Sequence, residues 1–248
     1  IMLNVSRGCT RGCRFCMSSY LYRPLRETTI KELVNIALKT RENTNLNKIT
    51  LIGAAVGDYY DLEGLTKALE SEGFQIATPS LRIDSLSRET LETLKKSGLK
   101  SITIAPESIS TLRERINKSI SDEKIFSVIK NAVDLDFNIK LYFLIGIPYE
   151  SKEDIEELAN YIEKIANMHK NRNYIKFSIN PIIPKPQTPL QWEVYNFKEI
   201  KSKTRYLKKK LRKYNVKFES PKKGLIQYIL SCGNREVGAV IEKSLTEE

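Results

Sequence analysis

The sequence predicts an α/β fold built on a mainly parallel sheet. Three observations carry that prediction: short apolar runs alternate with amphipathic helical stretches, the helical stretches open on good capping residues, and the apolar runs, such as 141–147, are of strand length. Strands are expected near 2–6, 48–52, 75–80, 101–105, 139–145 and 174–180, six in all. Between them helices are expected near 29–42, 62–71, 87–97, 121–135 and 151–168. Asp61, Ser87, Ser121 and Ser151 are the N-cap candidates, because a short oxygen-bearing side chain satisfies a free amide of the first turn. Ser151 with Asp154 has the capping-box spacing, and Gly73 and Gly98 stand where helices must end before the third and fourth strands.

After about residue 180 the character changes. Pro181, Pro184, Pro186 and Pro189 remove backbone donors, so this stretch reads as an extended loop leading to Leu190-Gln191-Trp192. A very basic helix is expected over 198–213, with Ile200, Tyr206, Leu207 and Leu211 as its packing stripe. A strand near 216–219 and helices near 223–231 and 236–244 complete a C-terminal α/β cap. The expected division is therefore a barrel-like domain over 1–182 and a substrate loop with a basic extension over 183–248. The length of 248 residues and the 41% hydrophobic content suit one such α/β domain with an appendage. The opening Ile1-Met2 leads almost at once into an apolar segment, a beginning compatible with a piece of a longer polypeptide, and leaves a preceding domain open.

Lys and Arg number 41 against 30 Asp and Glu, a net charge of +11. That excess leaves two readings open, an anionic partner such as nucleic acid, or a compositional bias that includes adaptation to heat. No apolar run approaches the roughly 20 residues of a membrane span, and no signal peptide is visible, so a cytoplasmic protein is expected.

The chemistry lies in Cys9, Cys13 and Cys16, within Ser6-Arg7-Gly8-Cys9-Thr10-Arg11-Gly12-Cys13-Arg14-Phe15-Cys16-Met17. Three thiolates on one loop suit three irons of a cubane cluster and leave the fourth iron open, whereas a structural zinc site needs four ligands. Arg7, Arg11 and Arg14 supply charge that stabilises thiolates. Cys232 could fold back as a fourth ligand. A zinc knuckle or three unrelated buried thiols are the bland alternatives and fit poorly, since His169 is the single histidine.

Cys9, Cys13, Phe15 and Cys16 match at every position the Cys-x-x-x-Cys-x-aromatic-Cys motif of the radical S-adenosylmethionine (radical SAM) enzymes, a family this sequence resembles over nearly its whole length. The resemblance implies a partial (β/α)6 barrel, open on the side that admits substrate, and a [4Fe-4S] cluster on the three cysteines. It also implies S-adenosylmethionine on the open iron, reduced by a flavodoxin or ferredoxin type of donor and cleaved to a 5′-deoxyadenosyl radical. In parallel barrels ligands gather at the carboxyl ends of the strands. There the resemblance points to Glu107 as a cosubstrate contact, against a helix-terminus carboxylate, and to Lys118 as a partner of the methionine carboxylate, against a solvated lysine. Arg82 could reach the same carboxylate or form a structural pair with Asp84. Gly53 is what survives of the run that holds the methionine amine in many members, and Gly146 either admits adenine or makes a tight turn. Lys185, Gln187 and Trp192 are the candidate substrate contacts, Gln187 replacing a histidine of similar segments.

The nearest pattern is that of radical SAM proteins following a cobalamin domain, which makes methyl transfer the favoured chemistry, with cobalamin supplied by a domain outside this chain. An RNA methylthiotransferase is the runner-up; it normally needs a second cluster and three further cysteines. From a different class, a non-catalytic metal or nucleic-acid binding module would use the cysteine loop for a structural metal and Lys208, Lys209, Lys210, Arg212, Lys213, Lys222 and Lys223 for phosphates, unless these are a solvated helix face.

Overall fold

The computed structural model describes residues 1–246. The chain begins with β1 (Met2–Asn4) and β2 (Ser6–Arg7), followed by α1 (Ser18–Leu21), β3 (Arg26–Glu27), α2 (Ile30–Thr44) and β4 (Lys48–Ile52). Next come α3 (Leu62–Ser71), β5 (Gln75–Ala77), α4 (Arg88–Lys96), β6 (Ser101–Glu107), α5 (Ser110–Arg115), α6 (Asp122–Asp134) and β7 (Asn138–Ile145). The last elements are α7 (Lys152–Ala166), β8 (Ile175–Pro181), α8 (Phe197–Lys210), β9 (Val216–Phe218), α9 (Pro221–Cys232) and α10 (Glu236–Thr246).

Two parallel sheets, ordered β1-β4-β5 and β6-β7-β8-β9, form the wall of an α/β partial barrel. A single parallel bridge between Leu81 and Ile104 joins them. Alternate strand residues such as Leu3, Ile49, Ile102, Leu141 and Phe177 are buried in one continuous apolar core. The helices cover the wall with stripes of helical period; α7 buries Ile155, Leu158, Ile162 and Ile165. All four expected N-caps form: Asp61, Ser87, Ser121 and Ser151 each accept a hydrogen bond from a first-turn amide, and Ser151 with Asp154 closes the capping box.

Three of the expected strands depart from the sequence reading, each for a local cause. The first strand splits after Asn4, because Ser6 and Arg7 turn away to pair antiparallel with Arg26 and Glu27. The third strand stops at Ala77, since Pro79 has no amide for the ladder, and the chain rejoins the sheet only where Leu81 N–H donates 2.9 Å to the Thr103 carbonyl. The fourth strand runs on to Glu107 through a register shift at Ala105-Pro106, a bulge that tolerates the proline. In the C-terminal cap the expected strand forms as β9 and extends the sheet, parallel to β8. Tyr206 does not join the α8 packing stripe; it is exposed, and Lys203 is buried instead, 2.9 Å from the buried Glu150 carboxylate. Among the described residues no helix is long and apolar enough to cross a membrane.

Candidate functional site

The cysteine loop lies between β2 and α1. Cys9 and Cys13 are buried, Cys16 is half-buried, and all three are free thiols. A turn from the Cys16 amide to the Cys13 carbonyl (3.0 Å) bends the loop, and the Ser19 hydroxyl donates to Cys9 Sγ at 3.8 Å. Tyr20 closes it by donating to the Gly12 carbonyl at 2.9 Å, while Phe15 packs on the core.

The loop is docked on the segment that follows α5. Arg14 N–H reaches the Ile116 carbonyl (2.9 Å) and its guanidinium the Arg115 carbonyl (2.8 Å). Asn117 Nδ2 donates to the carbonyls of Arg11 (3.2 Å) and Gly12 (2.9 Å) from a left-handed backbone, φ 53°. Beneath that segment lies Arg113, wholly buried, donating to the carbonyls of Ile120 (2.9 Å) and Ser108 (2.5 Å) and to the Asp122 carboxylate, which also accepts from Tyr161. Sequence reasoning missed Asn117 and Arg113. An arginine set between the apolar Leu112 and Ile116 was the available signal.

A four-residue ion network holds the other side. Arg11 meets Asp58 through two bonds of 2.9 and 2.7 Å and Asp84 at 3.2 Å; Arg82 meets Asp84 through bonds of 2.9 and 3.0 Å and approaches Asp58 at 3.5 Å. The network thus ties the cysteine loop to the segments after β4 and β5. Gly57 permits it, since a Cβ there would lie 2.7 Å from the Arg82 amide nitrogen. Arg82 is paired with Asp84 through both bonds. The Arg82 charge also reaches Cys13: burial pushes that thiol up, Lys118 and Arg82 pull it back, and Cys16 pushes it further up.

Burial pushes the Asp84 carboxyl up, but the hydrogen bond and charge of Arg82 and the charge of Arg11 outweigh it and hold it below the usual carboxylate range. A carboxylate whose folded value is depressed stabilises above its unfolded value, about 3.9, and loses that contribution as pH falls through the folded value. Asp84→Asn is therefore expected to lower stability by about 1 kcal/mol at pH 7, the scale of a partly exposed ion pair. Thermal unfolding of parent and variant should show the difference shrinking below about pH 4.

Glu107 and Lys118 form one buried ion pair, Nζ to Oε1 2.6 Å. The bulge and a φ of 70° aim Glu107 inward, so it is neither a first-turn helix carboxylate nor free, and Lys118 is not solvated. Together they hold a compensated charge beside Cys13.

The remaining candidates lie elsewhere. Gly53 is exposed, with Ser6 Oγ where its Cβ would point, 2.8 Å away. Gly146 has φ 80° and donates to Glu150 at 2.7 Å, and Ile200 of α8 lies in its Cβ direction. Lys185 donates to Ser231 on α9 at 3.0 Å, and Cys232 donates from the end of that helix to the Pro184 carbonyl, an exposed position on the proline segment and not in the cysteine loop. Gln187 is exposed with φ 62°, and Trp192 stands on the rim of a cavity of about 790 Å³.

Among the described residues no three His, Cys, Asp or Glu side chains surround a single-ion position. A cubane does not require one, since each thiolate takes its own iron. The donor set fits it: three free thiols on one loop with cations on both sides.

The family model described as Radical SAM superfamily matches residues 3–162. An uncharacterized protein of Methanocaldococcus jannaschii is 36% identical over 251 aligned residues, covering 98% of this chain and 54% of that protein. A cytidylyl-2-hydroxyethylphosphonate methyltransferase of Streptomyces wedmorensis is 27% identical, covering 65% of this chain and 32% of that enzyme. The chain thus spans about half or less of the length of these relatives. Among solved structures, the radical S-adenosylmethionine methyltransferase TsrM of Kitasatospora setae, determined with cobalamin and a [4Fe-4S] cluster bound, superimposes with a TM-score of 0.62 over 78% of this chain and 39% of that one. At 10% identity that likeness is one of fold.

Proposed function

Because this chain belongs to the radical SAM superfamily of enzymes, we propose that Cys9, Cys13 and Cys16 hold a [4Fe-4S] cluster and that the protein reductively cleaves S-adenosylmethionine. The observation that carries this reading is the loop itself: three free thiols, two of them buried, spaced as the family motif spaces them and pinned on both sides. When bound, the cluster supplies one-electron chemistry that no side chain offers. The chain's own residues do the rest. Asp58 holds the loop's Arg11 side chain and Asn117 its carbonyls, Arg82 and Lys118 stand near Cys13, and Glu107 pairs with Lys118.

The finer reading is methyl transfer, with an electron from a flavodoxin or ferredoxin type of donor and cobalamin held by a domain outside this chain. It is supported by the methyltransferase name of the Streptomyces relative. The test is 5′-deoxyadenosine formation, followed by mass spectrometry, from protein reconstituted anaerobically with iron and sulfide and given S-adenosylmethionine and a strong reductant. Formation that depends on the cysteine loop is the expected result. No product in the presence of a bound four-iron cluster would overturn cleavage, and zinc in place of iron would overturn the cluster.

A further inference from the structure

Two neighbouring cavities, of about 790 and 510 Å³, share Pro148, Tyr149, Leu190 and Glu193 and so make one groove above the carboxyl ends of β7 and β8. Arg14 of the cysteine loop and Arg115 at the end of α5 line its second part. Neither guanidinium meets a carboxylate among the described residues. Arg14 donates to the Arg115 carbonyl at 2.8 Å and Arg115 to the Tyr149 carbonyl at 2.7 Å, which leaves most of their donors and both charges unspent.

Two aromatic residues of the groove are equally unspent. Tyr149 and Trp192 are 89% and 86% exposed. Tyr149 also has φ 61°, a conformation that a residue with a Cβ keeps only where its surroundings impose it. Here the Arg115 bond to its carbonyl and the turn from Glu150 N–H to the Ile147 carbonyl impose it. A large ring held in water on a strained backbone contributes nothing to the core; it offers a face to a ligand.

We propose that this groove binds the substrate and that the substrate is a nucleotide or nucleotide ester. A base has the flat face that Tyr149 and Trp192 can stack on. A phosphate suits the paired arginines, whose donors favour anionic oxygens. Glu193, common to both cavities, accepts from a ribose hydroxyl or an exocyclic amine. Calling the ligand a substrate rests on the radical-enzyme reading; its binding does not.

Trp192 is the only tryptophan of the chain, so its fluorescence reports the groove directly. The full reconstituted chain is titrated with cytidine 5′-monophosphate, with cytidine and with ribose 5-phosphate. The expected result is a saturable change in emission with the nucleotide, roughly tenfold tighter than with either half, as a charge-assisted contact is worth. Arg14→Gln and Arg115→Gln should each weaken the nucleotide roughly tenfold and leave cytidine unchanged. Tyr149→Ala should weaken nucleotide and cytidine alike and spare ribose 5-phosphate. Equal response to all three probes, no saturable response, or displacement by S-adenosylmethionine would overturn the proposal. The titration needs no turnover: nucleotide binding in a protein that forms no 5′-deoxyadenosine would sink the enzymatic reading and leave the groove standing.

Discussion

Cys13→Ala is expected to abolish both four-iron cluster assembly and S-adenosylmethionine cleavage. Cys13 is the most enclosed of the three thiols and the one that Arg82 and Lys118 face. Three ligands are the minimum that holds the cube while leaving an iron for the cosubstrate, so no other group in the loop can take its place. Loss of an outer partner of a metal site already costs up to roughly 100-fold, and loss of a direct ligand should exceed that. Iron and sulfide content, the visible absorption of the reconstituted protein and 5′-deoxyadenosine yield should all fall together. Cys232→Ala, on the exposed end of α9, should change none of them. Full cleavage by the Cys13 variant would show that the loop does not hold the cluster.

Arg113→Ala should destabilise the protein by about 2–5 kcal/mol, the cost of emptying a wholly buried side-chain position. The side chain is wholly enclosed, and its loss strands the carbonyls of Ser108 and Ile120 as well as half of the Asp122 interaction. Urea unfolding of the variant gives the loss as a shift in midpoint at unchanged slope. The consequence for the site comes through Asn117 and Lys118, which ride on the segment that Arg113 braces. A folded Arg113→Lys protein, keeping the charge but not the forked geometry, should take up iron more slowly than the parent. Parent-like stability in Arg113→Ala would mean that the segment is held by its apolar neighbours alone.

Much of this architecture was legible before any coordinates. The βα alternation, the four N-caps and the cysteine loop are local signals: a cap needs only an oxygen three residues from an amide, and a cluster loop needs only its own spacing. What sequence reasoning could not reach was pairing between distant segments. Arg82 and Lys118 each had two roles open, and no local rule chooses between them. The structure adds the approach of Asp58 to Arg82 and a bulge at Pro106 that turns Glu107 inward onto Lys118. The same holds for the packing of Gly146 against Ile200, far along the chain.

The sequence by itself determined the α/β class, the main βα alternation and the family, and singled out the three thiols, because periodicity, capping and motif spacing act over a few residues. Only the tertiary structure decided which charges face which, how Arg113 and Asn117 carry the cysteine loop, and that Arg14, Arg115, Tyr149, Trp192 and Glu193 share one groove. Those five residues come from four separate segments, and no rule of local sequence brings such segments together; the closing of the sheet does.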